Sequence, residues 1–314
     1  MPGPLVSVVI PFLDPPVNFL AEAVASVVAQ DYRPLELLLV NDASHVSVAE
    51  AAKRLAKEAP LAARYVEHAG GGNRGSSATR NLGGSLVLGK YLAFLDADDV
   101  WVTSKLREQV QILENDPQLA MVFGVTRYWY SWSGGEGQLD DFVVDRGVKR
   151  PVNIHPPEFV PLFLRGKIIV PSTSNWMIRR EAFLDCGGFE ESFRGMYDDQ
   201  AFLVKLGLKR PVAAVPRCWD SYRQHPDSMT ARADNLGAES AARNTFLAWV
   251  RDYCDRHDIS TPEVREAVNK EMWLAANPRS SLVTHRMKRW WLRVEELLLP
   301  ARLRRYIWCR PAHP

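Results

Sequence analysis

Short apolar runs alternate with amphipathic stretches through the first hundred residues. Residues 5–10 read as a buried strand ended by Pro11. Asn18 is placed to cap a helix in which Phe19, Ala23 and Val27 share one face, as do Leu20, Val24 and Val28. Pro34 closes that unit and 35–40 is a second buried strand. Ser47 and Glu50 have capping-box spacing and open a helix through Ala59. Residues 64–68 form a weaker third strand, a Gly-rich loop leads into a helix near 78–88, and 91–95 is a fourth strand. Beyond it the pattern predicts a helix over 103–114, an aromatic-rich strand over 121–132 and a loop over 133–155. Alternation resumes over 157–223, and past about 235 only two or three helices are indicated.

Strand, helix, strand, helix is the signature of a largely parallel sheet covered on both faces, an α/β fold. Such sheets bind ligands beyond the carboxyl ends of their strands. Those ends carry Pro11-Phe12-Leu13-Asp14, Asn41-Asp42-Ala43-Ser44 and Asp96-Ala97-Asp98-Asp99. Acidic clusters gathered at one edge repel one another unless something binds them.

Composition narrows the classes further. The chain has 314 residues, 46% hydrophobic and 24% charged, which is ordinary globular usage. A net charge of +2 gives no general nucleic-acid-binding character. The four cysteines, Cys186, Cys218, Cys254 and Cys309, include no close pair, so free thiols in a reducing compartment are expected. The start, MPGPLVSVVIPF, lacks the features of a signal peptide, and no apolar run approaches the ~20 residues needed to span a bilayer. The expected location is the cytoplasm.

Carboxylates two apart at a strand end, as in Asp96 and Asp98, can share a hard divalent cation with diphosphate oxygens, the coordination that Mg²⁺ and Mn²⁺ favour. The structural alternative is an acidic turn capping the next helix. Asp42 can accept from the ring N–H of uracil or thymine, or can form an Asx-turn. The loop from Gly70 to Gly75 precedes a helix N-terminus, an arrangement suited to an anion, but matches neither a Walker A nor a GxGxxG fingerprint. Arg80 can reach a base or phosphate, or can neutralise nearby acids. Asp198-Asp199 opens another amphipathic helix, where two acids favour the N-terminus whatever else they do. His225 is either a surface histidine or a further ligand to metal or diphosphate.

Taken in order, Val6-Ser7-Val8-Val9-Ile10-Pro11, Val40-Asn41-Asp42-Ala43-Ser44, Thr79-Arg80-Asn81-Leu82-Gly83 and Phe94-Leu95-Asp96-Ala97-Asp98-Asp99 resemble glycosyltransferase family two over about residues 5–230. Cys186-Gly187-Gly188-Phe189-Glu190-Glu191 and Asp198-Asp199-Gln200 are similar to that family's acceptor-side loop and Glu-Asp motif. The resemblance implies the GT-A fold and an inverting, metal-dependent transfer of sugar from a nucleotide diphosphate to a hydroxyl. It implies that Pro11, Phe12 and Asp14 line the nucleoside, that Asp42 holds the base, preferentially uracil or thymine, and that Arg80 sits by the nucleotide. By the same resemblance Asp96 contacts ribose or metal and Asp98 ligates Mg²⁺ or Mn²⁺, with His225 a candidate third ligand. Asp199 is then the catalytic base, with Gly188, Phe189 and Asp198 on the acceptor side. The chain departs from the family at Phe12-Leu13-Asp14, where Thr-Tyr-Asn is common, and at Asp198, where Glu is usual.

The implied organisation is a catalytic domain over 1–235, with a nucleotide-binding half at 1–100 and an acceptor-binding half at 101–235, followed by a helical region at 236–314. The expected partners are a nucleotide-sugar donor and a sugar, lipid-linked or small-molecule acceptor, as in synthesis of a cell-surface polysaccharide, glycolipid or natural-product glycoside. A homodimer is left open, and nucleic acid is not expected. Residues 285–310 interleave Arg and Lys with Trp, Tyr and Leu, which suits either an anionic membrane surface on the inner face or a helix packed on the domain. A nucleotidyltransferase would carry a basic, Gly-rich segment after its first strand, where this chain has Pro11-Phe12-Leu13-Asp14. An inactive sugar-nucleotide-binding protein would have lost one of Asp96, Asp98 and Asp199, and all are present.

Overall fold

The computed structural model describes residues 3–134, 140–228 and 239–277. Residues through Ala242 form one compact unit and those from Arg243 another.

The first unit opens with β1 (Val6–Phe12), α1 (Val17–Val28), β2 (Leu35–Asn41), α2 (Val46–Glu58), β3 (Ala62–Glu67), α3 (Ser76–Leu86) and β4 (Tyr91–Phe94). β1 pairs in parallel with both β2 and β4, and β2 in parallel with β3. Every residue of β1, β2 and β4 is buried, as expected where helices cover both faces of a sheet. One face carries Val8, Ile10, Leu37, Leu39 and Ala93 under Leu20, Val24 and Val27 of α1. On the other face, α3 crosses β1 at Gly83, where a Cβ would lie 2.4 Å from a methyl of Val9. Ser7, a polar residue inside β1, is matched by Glu36 of β2 at 2.5 Å, and the two also accept the N–H groups of Gly89 and Leu88.

The second part of the unit contains β5 (Val100–Trp101), α4 (Lys105–Asn115), β6 (Met121–Trp129), β7 (Phe142–Val144), β8 (Val152–Ile154) and α5 (Phe159–Leu164). It closes with β9 (Met177–Arg179), α6 (Arg180–Asp185), α7 (Asp198–Gly207) and β10 (Val212–Arg223). All ten strands join one sheet in the order β3-β2-β1-β4-β9-β6-β10-β5, with β7 beside β6 and β8 beside β10. β9 is antiparallel to β4 and to β6, while β10 runs parallel to β6. The carboxyl ends of β1 to β4, β6 and β10 therefore face one edge. Arg179 fastens this join, donating to the carbonyls of Leu119 at 2.7 Å and Leu113 at 2.5 Å and to the Tyr91 hydroxyl at 3.1 Å. Beneath α6 and α7 the rings of Phe94, Trp176, Phe183, Phe189 and Phe202 form one aromatic cluster.

Several local expectations are corrected. The first helix begins after Pro16 with no side-chain cap, so Asn18 lies inside it. The Ser47–Glu50 box does not form; His45 caps α2, its ring accepting from the Ser47 N–H, and Glu50 pairs with Lys53. The stretch 133–155 contains β7 and β8, each too short to leave a periodic signal.

The second unit comprises most of α8 (Glu239–Arg256) and all of α9 (Pro262–Ala276), with Pro262 in the first turn of α9. Arg243 reaches Glu271 at 2.6 Å, and Arg265 binds Asp255 and the Ile259 carbonyl, so the two helices form a pinned hairpin. The basic segment 285–310 lies outside the described residues. Among the described residues no helix is long and apolar enough to cross a membrane, and Cys186, Cys218 and Cys254 are free thiols.

Candidate active site

The turn after β4 places four residues at the shared strand edge. Asp99 faces inward and is fully buried. Its carboxylate accepts from the Ser174 hydroxyl at 2.7 Å and from the Arg223 N–H at 3.0 Å. Burial, followed by the charges of Asp98 and Asp96, pushes its carboxyl well above the ordinary range. Asp96 and Asp98 stay partly exposed. Asp96 accepts from Arg80 at 2.7 Å, while burial and the Asp98 charge raise its carboxyl against the pull of Arg80. Asp98 Oδ2 lies 3.0 Å from His225 Nε2, on the segment that follows β10.

Arg80 projects from α3 and is buried. One guanidinium nitrogen holds Asp96 and the other holds Asp198 at 2.6 Å, over the face of Phe189 at 5.4 Å. Its Nε is buried with no hydrogen-bond partner. Arg80 thus neutralises two acids from different halves of the sheet, the structural alternative weighed for it above.

Asp198 and Asp199 open α7, behind Tyr197 in a left-handed conformation. Asp198 is buried and committed on both oxygens, accepting from the Ser76 hydroxyl, Arg80 and the Asp199 N–H. Asp199 is half-buried and accepts from the Gln200 N–H at 2.7 Å. Burial first, then the charge of Asp198, drives its carboxyl up to about 7, while the Gln200 N–H and Arg80 pull the other way. Of the two acids, Asp199 is the one left partly exposed.

The remaining predicted residues divide. Asp42 is buried and accepts from the backbone N–H groups of Arg74 at 2.6 Å and Gly75 at 2.9 Å. Two amides of the Gly-rich loop, expected to serve an external anion, therefore meet an anion of the protein itself. The local turn here is closed by Asn41 and not Asp42, its side-chain oxygen accepting from the Ser44 N–H three residues on. Phe12 is 3% exposed and packs in the core near Tyr65, so its ring does not line an open nucleoside surface. Pro11 is likewise buried. Asp14 is exposed and ties its loop to the next, accepting from the His45 N–H while its own N–H donates to Ser44. Phe189, 2% exposed, belongs to the aromatic cluster and supports Arg80 rather than facing an acceptor. Gly188 holds a left-handed conformation where a Cβ would fall 2.3 Å from Asn81 Oδ1. Asn81 accepts from the Phe189 N–H and donates to its carbonyl, fixing this loop on α3.

Beneath the turn lie residues to which the sequence pattern assigned no role. Arg223, 1% exposed, donates to the Asp98 carbonyl at 2.7 Å. Asn175 connects Asp220 at 2.5 Å with the Val125 carbonyl. Lys105, fully buried, lies over Trp101 and donates to Gln109; burial brings it down to about 7, while Asp220 is pushed up to about 6. The available signal was the series of polar residues Asp220, Ser221 and Arg223 at the end of a strand that begins with the apolar run Val212-Ala213-Ala214-Val215.

A divalent cation fits this donor set in part. Asp98 and His225 offer an oxygen and an imidazole nitrogen side by side at 3.0 Å. Among the described residues no three His, Cys, Asp or Glu side chains form a complete ligand group, so further positions would fall to water and phosphate.

The sequence model of glycosyl transferase family 2 matches residues 7–187. An uncharacterized glycosyltransferase of Rickettsia felis is 33% identical over 123 residues, 39% of this chain and 19% of that protein. The O-antigen biosynthesis protein RfbC of Myxococcus xanthus is 28% identical over 76% of this chain and 17% of its own length. The chain thus spans well under half the length of the first curated relatives it matches. Among solved structures, S. aureus TarS in complex with UDP-GlcNAc superposes with a TM-score of 0.58 at 14% identity, over 77% of this chain and 65% of that one. The mannosyltransferase PcManGT of Pyrobaculum calidifontis, in complex with GDP-Man and Mn²⁺, gives 0.54 at 18% identity, over 91% and 80%. At these identities the likeness is one of fold, the GT-A arrangement.

Proposed function

Because the chain belongs to glycosyl transferase family 2, we propose that it moves a sugar from a nucleotide diphosphate to an acceptor hydroxyl with inversion, using Asp199 as the base. The observation that carries this is the contrast within α7. Asp198 is consumed by Ser76, Arg80 and a backbone N–H, whereas Asp199 is half-exposed with a carboxyl raised to about 7. A single displacement at an anomeric carbon needs a group that takes the acceptor's proton, and such groups work best near the ambient pH. Arg80 holds the opposite wall in place by joining Asp96 to Asp198.

In this reading Asp98 and His225 would hold Mg²⁺ or Mn²⁺, with Asp96 tied to Arg80 beside them. A bound cation would supply neutralisation of the charge that grows on the departing diphosphate. Asp42 and the Gly-rich loop form the wall toward the base. A UDP- or dTDP-sugar follows from the family pattern, and the relatives of similar fold include one bound to UDP-GlcNAc and one to GDP-Man. Likeness to an O-antigen biosynthesis protein supports a glycan or glycolipid acceptor at the cell surface. Residues 1–235 are taken as the catalytic domain.

The test is release of nucleoside diphosphate from a panel of UDP-, dTDP- and GDP-sugars, with Mn²⁺, with Mg²⁺ and with chelator. One donor should turn over, and chelation should stop it. A panel that binds no sugar nucleotide, read by thermal shift, would remove the transferase reading.

A further inference from the structure

Arg223 lies at the end of β10 and does not reach the open cleft, yet its contacts run to the proposed cation site. Its guanidinium is almost wholly removed from water, which is costly for a charge unless every donor is used. Nε donates to the Asp98 carbonyl at 2.7 Å, and one terminal nitrogen donates to Glu22 of α1 at 2.5 Å. The plane is enclosed by three rings: Phe19 at 4.1 Å, Trp129 at 4.6 Å and Trp132 at 5.1 Å. Its own N–H reaches Asp99. Phe19 also meets the His225 ring in a T-shaped contact, centroids 5.5 Å apart, and meets Trp132 at 5.2 Å.

The two sides of the Asp98–His225 pair thus converge on one side chain. Asp98 is gripped through its carbonyl. His225 is two residues along the chain from Arg223 and leans on a ring that the guanidinium covers. A salt bridge to the exposed Glu22 alone would not require a buried cation, and a pure packing role would not require the bond to Asp98. We infer that Arg223 is a positioning residue which holds Asp98 and His225 together for a divalent cation, without touching the cation. The inference rests on the assignment of that pair as the cation site. Lysine cannot replace it, since an ammonium lacks the planar fork that reaches Asp98 and Glu22 at once and stacks between rings.

The experiment measures Mn²⁺ binding to the full chain by the electron paramagnetic resonance signal of free Mn²⁺, with Mn²⁺ alone and with UDP or GDP added. Turnover against Mn²⁺ concentration is read in parallel. Groups that orient ligands are worth roughly 10- to 100-fold in metal affinity, so Arg223→Lys should weaken Mn²⁺ binding at least about tenfold. Turnover at saturating Mn²⁺ should fall much less than the half-saturating concentration rises. Glu22→Gln, at an exposed position, keeps an acceptor for the guanidinium and loses only the charge, so it should shift the same affinity by a few-fold, less than the full value of a charge-assisted hydrogen bond. Wild-type Mn²⁺ affinity in Glu22→Gln and in folded Arg223→Lys overturns the inference. Sugar transfer by a wild-type chain that binds no Mn²⁺ overturns it too, together with the cation assignment, while leaving the transferase reading intact.

Discussion

The acidic turn after β4 and the acidic start of α7 are built on one plan with different outcomes. Each sets one aspartate into the protein as an anchor and leaves a neighbour partly exposed. In the turn, Asp99 is the anchor and Asp98 stands beside His225. In the helix, Asp198 is the anchor and Asp199 is left half-exposed. The anchors differ in what they meet: Asp99 binds a hydroxyl and an amide, Asp198 an arginine that also serves the turn. Identical residue types in adjacent positions therefore divide into buried support and accessible carboxylate according to which donors reach them.

The contrast is sharpest at Asp199. Asp199→Asn should lower kcat about 10³-fold, within the range for loss of a general base, while the Kd for donor stays within a few-fold. Stopped turnover with unchanged donor binding is the expected pair of results in quench and calorimetric measurements, and surviving turnover would assign the base elsewhere. Next in size is Asp99→Ala. Removing that carboxylate leaves the buried Ser174 hydroxyl and Arg223 N–H without acceptors, at about 1–3 kcal/mol each, which denaturant unfolding can measure. Asp98→Ala, from a half-exposed position, should leave stability near wild type; equal losses in the two variants would erase the distinction between anchor and ligand.

The subtlest effect concerns pH. Asp199 must be ionised to accept a proton, so kcat/KM should rise with pH through about 7 and then level. Asp198→Asn removes the charge that, after burial, raises Asp199 most, and the midpoint should move to lower pH. The same shift has a stability sign. The folded chain keeps a proton on Asp199 at pH values where the unfolded chain has released it, so this residue's contribution falls as pH rises from the ordinary aspartate range to about 7. Asp199→Asn should therefore gain thermal stability over wild type at pH 8 and lose that advantage near pH 4.

The sheet up to β4 was legible because β1, β2 and β4 are apolar at nearly every position and the helices between them repeat at helical period, while the half-polar β3 left a weaker trace. The acid clusters were legible because strand ends in such sheets gather at one edge. Caps were misread: Asn18 and Ser47 are good capping types, but Pro16 and His45 sit where the chain turns, and tertiary placement outweighs local preference. β7 and β8 are three residues each and are held by neighbours rather than by pattern. Phe12 and Phe189 stand in motifs that suggest contact with ligand, yet their rings point into the core, and burial cannot be read from a motif. Arg223 stayed hidden because its partners are a carbonyl, a distant glutamate and three rings, a set assembled only in the folded chain.

The three-residue strand β9 has a mechanical consequence. By pairing with β4 on one side and β6 on the other, and with Arg179 stitched across the seam, it makes the sheet beneath the acid turn and α7 a single plate. Such a plate resists bending between the acid turn on one side and the strand bearing Arg223 on the other. Adjustment to a bulky substrate is left to the loops above it, and hydrogen exchange on adding nucleotide should slow there while the amides of β4, β9 and β6 keep their protection.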